Sequence, residues 1–193
     1  MTRTLAEIDA ELFALLQQPV DDWHFLSSCV WTKDEATGTI RQFPAADPRY
    51  DYLRYLTGIR RKHSLFAIEK SRRMLVTWWL TSVYLFDTLT QPNHANFIVS
   101  KKLQDSAWLL GEERILGVYR RIPAEVWTNK PELVETGKEG KGYTLLTCPH
   151  TGSYIQAVAS GADQLRQYTA SNVLFDEFAF QERQEEAWTA ARP

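Results

Sequence analysis

Apolar positions recur with helical spacing at the start of the chain: Leu5, Ile8, Leu12, Leu15 and Leu16 share one face, and Pro19 ends that helix. Residues 20–50 are mixed and carry the breakers Gly38, Pro44 and Pro48. They read as a loop-rich N-terminal lobe with a hairpin around Thr37-Gly38. Leu53, Leu56 and Ile59 predict a helix over 50–61. The run Ser-Leu-Phe-Ala-Ile-Glu at 64–69 predicts a short strand, followed by a basic turn at 70–73. Leu75, Trp78, Trp79, Ser82, Val83 and Phe86 then mark a helix whose other faces are also largely apolar, the pattern of a buried helix.

Beyond a loop at Gln91-Pro92-Asn93, residues 97–99 predict a second core strand, and a helix runs from about 101 to 121, before Pro123. Residues 129–142, rich in Lys, Glu and Gly, read as an exposed excursion. Strands follow at 143–147 and 153–159 around a turn at 149–152, then a loop or short helix at 161–168. The last strand is Val173, Leu174 and Phe175, running into Asp176 and Glu177. Strands and helices alternating in this order predict an α/β fold with a largely parallel central sheet flanked by helices. The division expected is an N-terminal lobe at 1–62 and a core at 63–193.

Composition narrows this picture. Of 193 residues, 44% are hydrophobic and 12% aromatic, enough for a real core. The formal net charge of −2 excludes a generally basic nucleic-acid coat and leaves only local patches, Arg60-Arg61-Lys62 and Arg120-Arg121. These clusters are candidate duplex contacts, or simply solvated helix ends. Cys29 and Cys148 form no CxxC pair, which fits a reducing compartment. Cys148-Pro149-His150 resembles half a zinc site but lacks a second half. Glu7, Asp9 and Glu11 make the N-terminus too acidic for a signal peptide. The apolar run 74–86 is too short to span a bilayer as a helix.

Chemistry concentrates at two places. Asp176 and Glu177 stand at the carboxyl end of a buried strand, where ligands bind in open α/β sheets. One carboxylate there can hold Mg²⁺ and a second can activate water. The turn at Lys70, Ser71, Arg72 and Arg73 leads into a helix, and a helix N-terminus with nearby cations suits phosphate. The usual G-x-x-x-x-G-K-[ST] loop is met only at Thr77, and Leu75 stands where glycine lets the backbone approach a phosphate closely. Each place alone also reads plainly, as a basic surface turn and as a solvated strand end. Their separation, about 100 residues, is that of Walker A and Walker B elements.

With these residues in view the sequence resembles the large subunits of phage terminases. Glu69-Lys70-Ser71-Arg72-Arg73-Met74 with Thr77 and Trp78 resembles their deviant Walker A loop. Phe97-Ile98-Val99-Ser100-Lys101-Lys102 with Ala107 is similar to the next strand and helix. Gly152-Ser153-Tyr154-Ile155-Gln156-Ala157 and Gly161-Ala162-Asp163-Gln164-Leu165-Arg166 resemble the segment that follows, and Asp176-Glu177-Phe178-Ala179-Phe180 the Walker B signature.

The resemblance implies a P-loop NTPase of the ASCE type, the ATPase module of a motor that uses ATP and Mg²⁺ to drive double-stranded DNA into a procapsid. It implies phosphate contacts from Lys70, Ser71, Arg72 and Arg73, and Mg²⁺ held by Thr77 and Asp176. It further implies water activation by Glu177, a sensing role for Arg166, and base contacts from Gln42 and Phe43 upstream. The partners implied are the portal protein, the small terminase subunit and further copies in a ring, in the host cytoplasm and transiently at the portal, with no membrane. The sequence stops before the family's coupling strand and nuclease domain; that strand would lie between the P-loop strand and the Walker B strand, so the resemblance implies a gap in the sheet with unpaired backbone groups. Two other readings stay open: a catalytically inactive remnant, and a helicase-like ATPase of another branch, which Val76 in place of the loop lysine disfavours.

Overall fold

The computed structural model describes residues 18–34, 37–71, 74–160, 169–180 and 185. The expected helix through Leu5–Leu16, the cations Arg72 and Arg73, and the segment carrying Arg166 lie outside these residues. Helix α1 (Asp22–Ser28) starts where the Asp21 side chain accepts from the His24 N–H at 2.7 Å, an N-cap that satisfies an otherwise orphaned donor. Strands β1 (Trp31–Lys33) and β2 (Ile40–Gln42) form the antiparallel hairpin expected around Gly38, whose φ of +69° suits glycine. A 3₁₀ turn (Pro48–Tyr50) leads into α2 (Asp51–Lys62).

The central helix is α3 (Val76–Thr90), with Trp79, Val83, Leu85 and Thr88 fully buried. Its all-round apolar surface is matched by packing on several sides. Phe25 of α1 meets Phe86 at 5.4 Å between ring centroids, and Trp79 Nε1 donates to Thr57 Oγ1 of α2 at 2.9 Å. The loop-rich segment before residue 63 thus shares one core with α3, through Phe25, Leu26, Phe43 and Leu53.

After α3 come β3 (Ala95–Ser100), α4 (Leu103–Leu110), α5 (Ile115–Arg121), β4 (Val134–Glu139), β5 (Gly142–Cys148), β6 (Ser153–Ala159) and β7 (Asn172–Phe175). One sheet holds five strands in the order β4-β5-β6-β3-β7. β3 runs parallel to β6 and β7, while β4–β5 and β5–β6 are antiparallel, so the sheet is mixed rather than largely parallel. Alternation divides β3 between its faces. Ile98 joins the main core with α3, and Ala95, Phe97 and Val99 form a second cluster with Val158, Val173 and Phe175.

Three further expectations need correction. The excursion at 129–142 contains β4, a largely exposed edge strand; an edge that faces water can carry Glu135, Lys138 and Glu139. The long helix at 101–121 is two helices, broken at Gly111, where a Cβ would sit 2.6 Å from the Lys141 carbonyl oxygen. The run 64–69 is not a strand: Phe66 and Ile68 lean on the core, but the segment joins no ladder. Among the described residues β7 closes the sheet with a ladder on one side only, and because 64–69 joins no ladder there is no pair of strands between which the expected gap could be located.

Candidate functional site

The carboxyl ends of β3 and β7 meet the first turn of α3. Thr77 Oγ1 donates to Asp176 Oδ1 at 3.2 Å, a contact between residues 99 positions apart. Asp176 is set in place by its own N–H, which donates to the Val99 carbonyl at 2.9 Å and extends the β3–β7 ladder past its last strand residue. Glu177 follows, exposed, with a φ of +50°. That left-handed backbone costs an L-residue about 1 kcal/mol or more and is often found at functional loops.

The turn into α3 has matching strain. Leu75, the residue before the helix, has φ +54° and ψ 9°, the conformation a glycine would take freely. Leu75 makes no side-chain cap and no acid occupies the first turn, so among the described residues no side chain caps the helix N–H groups there. An anion is the natural complement to such an end. Lys70 and Ser71 are exposed beside it, and the Ser71 N–H turns toward Met74 Sδ at 3.3 Å. Tyr52 of α2 donates its hydroxyl to the Met74 carbonyl and so anchors the turn to the N-terminal lobe.

A cavity of about 310 Å³ opens beside the acid pair, lined by Ser100, Lys101, Asp105, Trp108, Leu109, Asp176 and Glu177. Behind it the Arg114 guanidinium lies between two indoles, 4.1 Å from the Trp78 ring and 4.8 Å from the Trp108 ring. Trp78 adjoins Thr77 in sequence, and Trp108 forms part of the cavity wall. The stack therefore ties α3's first turn to α4 and α5. Nothing in the sequence marks it, since its three residues lie far apart and belong to no motif.

Several proposed contacts are used elsewhere. Phe43 is 3% exposed and belongs to the core, and its N–H donates to the Val30 carbonyl. Gln42 Nε2 donates to the Ser27 carbonyl at 2.6 Å. Both stand as supports of the β1–β2 lobe. The basic clusters are largely neutralised: Arg60 pairs with Asp87 and Arg61 with Asp22, while Arg120 bonds Glu112 and Glu135. Cations already paired to carboxylates are poor grips for phosphate.

No group of three His, Cys, Asp or Glu side chains converges as a metal cage among the described residues. Thr77 and Asp176 nevertheless suit Mg²⁺, which binds few protein oxygens and completes its octahedron with water and phosphate. A larger cavity of about 750 Å³ lies at the other end of α3, around Asp22, Arg60, Asp87, Trp127 and His150. It is remote from the acid pair and the helix N-terminus. No helix among the described residues is long and apolar enough to cross a membrane.

No protein-family model matches this chain, and no curated protein matches it significantly.

Proposed function

We propose that this chain is the ATPase module of a viral DNA-packaging motor, of the kind found in terminase large subunits. The observation that carries the reading is the 3.2 Å contact between Thr77 and Asp176, a hydroxyl in the first turn of a buried helix against a carboxylate at a strand tip. Walker A and Walker B elements place a hydroxyl and an acid in this relation, and they do so to share one Mg²⁺.

In this reading ATP lays its phosphates on the N-terminus of α3. Lys70 and Ser71 contact the phosphates from the turn, with Arg72 and Arg73 as further cations. Thr77 and Asp176 would hold Mg²⁺, which when bound neutralises phosphate charge. Glu177 orients the attacking water and takes its proton as the terminal P–O bond breaks, leaving ADP and phosphate. Its exposed position leaves it free to reach that water. Arg166 is proposed as a sensor. Energy from hydrolysis drives double-stranded DNA through a ring of such subunits, with the portal protein and small subunit as partners, in the host cytoplasm and at the procapsid portal.

The decisive experiment measures ATP binding and turnover with Glu177→Gln as control. Binding that persists while turnover is lost supports the reading. Absence of nucleotide binding across a Mg²⁺ titration would sink it. The second reading, a chain of this ancestry without turnover, is favoured by Leu75, which holds at φ +54° a left-handed backbone that glycine takes freely and which carries a Cβ where glycine lets the backbone approach a phosphate closely. Nucleotide binding by wild type with no turnover by either protein would establish that second reading.

A further inference from the structure

The far end of the sheet carries a buried amide network that the nucleotide reading does not use. Side chains at i, i+2 and i+4 of a strand share a face, so Asn172, Leu174 and Asp176 all belong to one side of β7. That side faces α3, since Leu174 packs in the α3 core. Asp176 meets Thr77 near the start of α3. Asn172 meets the other end: its Nδ2 donates to Asp87 Oδ2 at 3.4 Å and to Asn96 Oδ1 of β3 at 2.8 Å. Asn96 in turn donates from Nδ2 to Thr88 Oγ1 at 2.9 Å, and Thr88 Oγ1 donates to the Tyr84 carbonyl at 2.8 Å. Asn96 and Thr88 are fully buried.

Helix and strand are therefore tied at both ends. From Thr77 to Thr88 the helix advances about 16 Å at the usual rise per residue. From Asn172 to Asp176 the strand covers about 13 Å. Two rods of similar length joined at both ends form a closed frame, in which the position of one tie determines the other. The frame matters because β7 is apolar on both faces, with Leu174 on one and Val173 and Phe175 on the other, so its hydrophobic pattern alone does not select a register. A slip of one residue would turn Asp176 to the opposite face and remove it from Thr77.

We propose that Asn96 and Asn172 are positioning residues: by bonding to Thr88 and Asp87 they fix β7 along α3 and so set the Thr77–Asp176 pair in place for its metal. The consequence for Mg²⁺ rests on the nucleotide reading above; the lock itself does not.

The test compares wild type with Asn172→Leu, Thr88→Val and Thr88→Ser. Thr88→Val keeps the side-chain shape and removes only the hydroxyl, so it remains informative if Asn172→Leu does not fold. Thr88→Ser keeps the hydroxyl. Amide hydrogen exchange at residues 173–176 should quicken about tenfold in the Leu and Val variants, with β5 and β6 unchanged and the Ser variant like wild type. The Mg²⁺ concentration that half-saturates ATP binding should rise about tenfold in the same two variants, with metal-free ATP binding unaffected. Faster exchange spread over the whole sheet, or loosened β7 with unchanged Mg²⁺ dependence, would overturn the proposal. If wild type binds no nucleotide, the nucleotide reading fails, and the exchange measurement alone decides whether the lock exists.

Discussion

The two ends of α3 are built on opposite principles. At its carboxyl end nearly every polar group is matched. Ser153, fully buried, accepts from the His94 N–H at 2.7 Å and donates to the Gln91 carbonyl at 2.5 Å. Thr151 donates to the Thr88 carbonyl at 2.7 Å, and Asp87 pairs with Arg60 in a setting where burial pushes the Asp87 carboxyl up despite that partner. At its amino end two residues without the licence of glycine, Leu75 and Glu177, hold left-handed backbone, and the helix has no cap. One end is knit by side-chain hydrogen bonds around its cavity; the other keeps backbone strain and, among the described residues, no side-chain cap. Stability given up at a particular place is how binding sites are commonly made.

The comparison can be broken most forcefully at the carboxyl end. Asp87→Ala should cost about 3 kcal/mol in denaturant unfolding, because it leaves the mostly buried Arg60 guanidinium with Asp22 at 3.8 Å as its remaining carboxylate among the described residues. A loss below about 1 kcal/mol would put that pair on the footing of a surface bridge. Ser153→Ala, which strands one donor and one acceptor, should cost about 2 kcal/mol by the same measurement.

At the amino end the sign should reverse. Glu177→Gly should gain about 1 kcal/mol while abolishing any ATP turnover, since glycine takes φ +50° freely. Leu75→Gly and Leu75→Ala both lose the packing of the leucine against the core, but only glycine relieves the backbone. The glycine variant should therefore be more stable than the alanine variant by about 1 kcal/mol. The reverse order would mean that Leu75 is not strained.

The smallest effect belongs to a bridge remote from both ends. Lys33 bonds Glu113 at 3.0 Å and holds its carboxyl below the ordinary 4.5. A lowered folded value contributes stability above the ordinary value and loses it as pH falls through the lowered one. Glu113→Gln should thus cost a few tenths of a kcal/mol at neutral pH and nothing at strongly acidic pH, as read from denaturation midpoints.

What was legible in the sequence follows from how far each signal reaches. The β1–β2 hairpin, the buried helix α3 and strands β3, β5, β6 and β7 announce themselves through local periodicity and turn residues. The pairing of Thr77 with Asp176 came from motif spacing, which carries long-range information that periodicity lacks. β4 was hidden because an exposed edge strand has no reason to be apolar. The run at 64–69 has strand composition, yet a strand exists only where a neighbour accepts its hydrogen bonds. The structural partners of Gln42 and Phe43, the Ser27 and Val30 carbonyls, lie beyond any local pattern. The Trp78–Arg114–Trp108 stack and the neutralisation of Arg60 are tertiary facts with no sequence signature.

The contact between Thr77 and Asp176 has a kinetic side. Joining residues 99 positions apart closes a long loop, and such closures are entropically costly and slow compared with local ones. The hairpin, α3 and the β5–β6 pair need far shorter closures and can assemble first. The site should then be the last part of the molecule to appear during refolding. After dilution from denaturant, burial of Trp79 should precede any competence to bind nucleotide, and the lag between them would time the docking of β7.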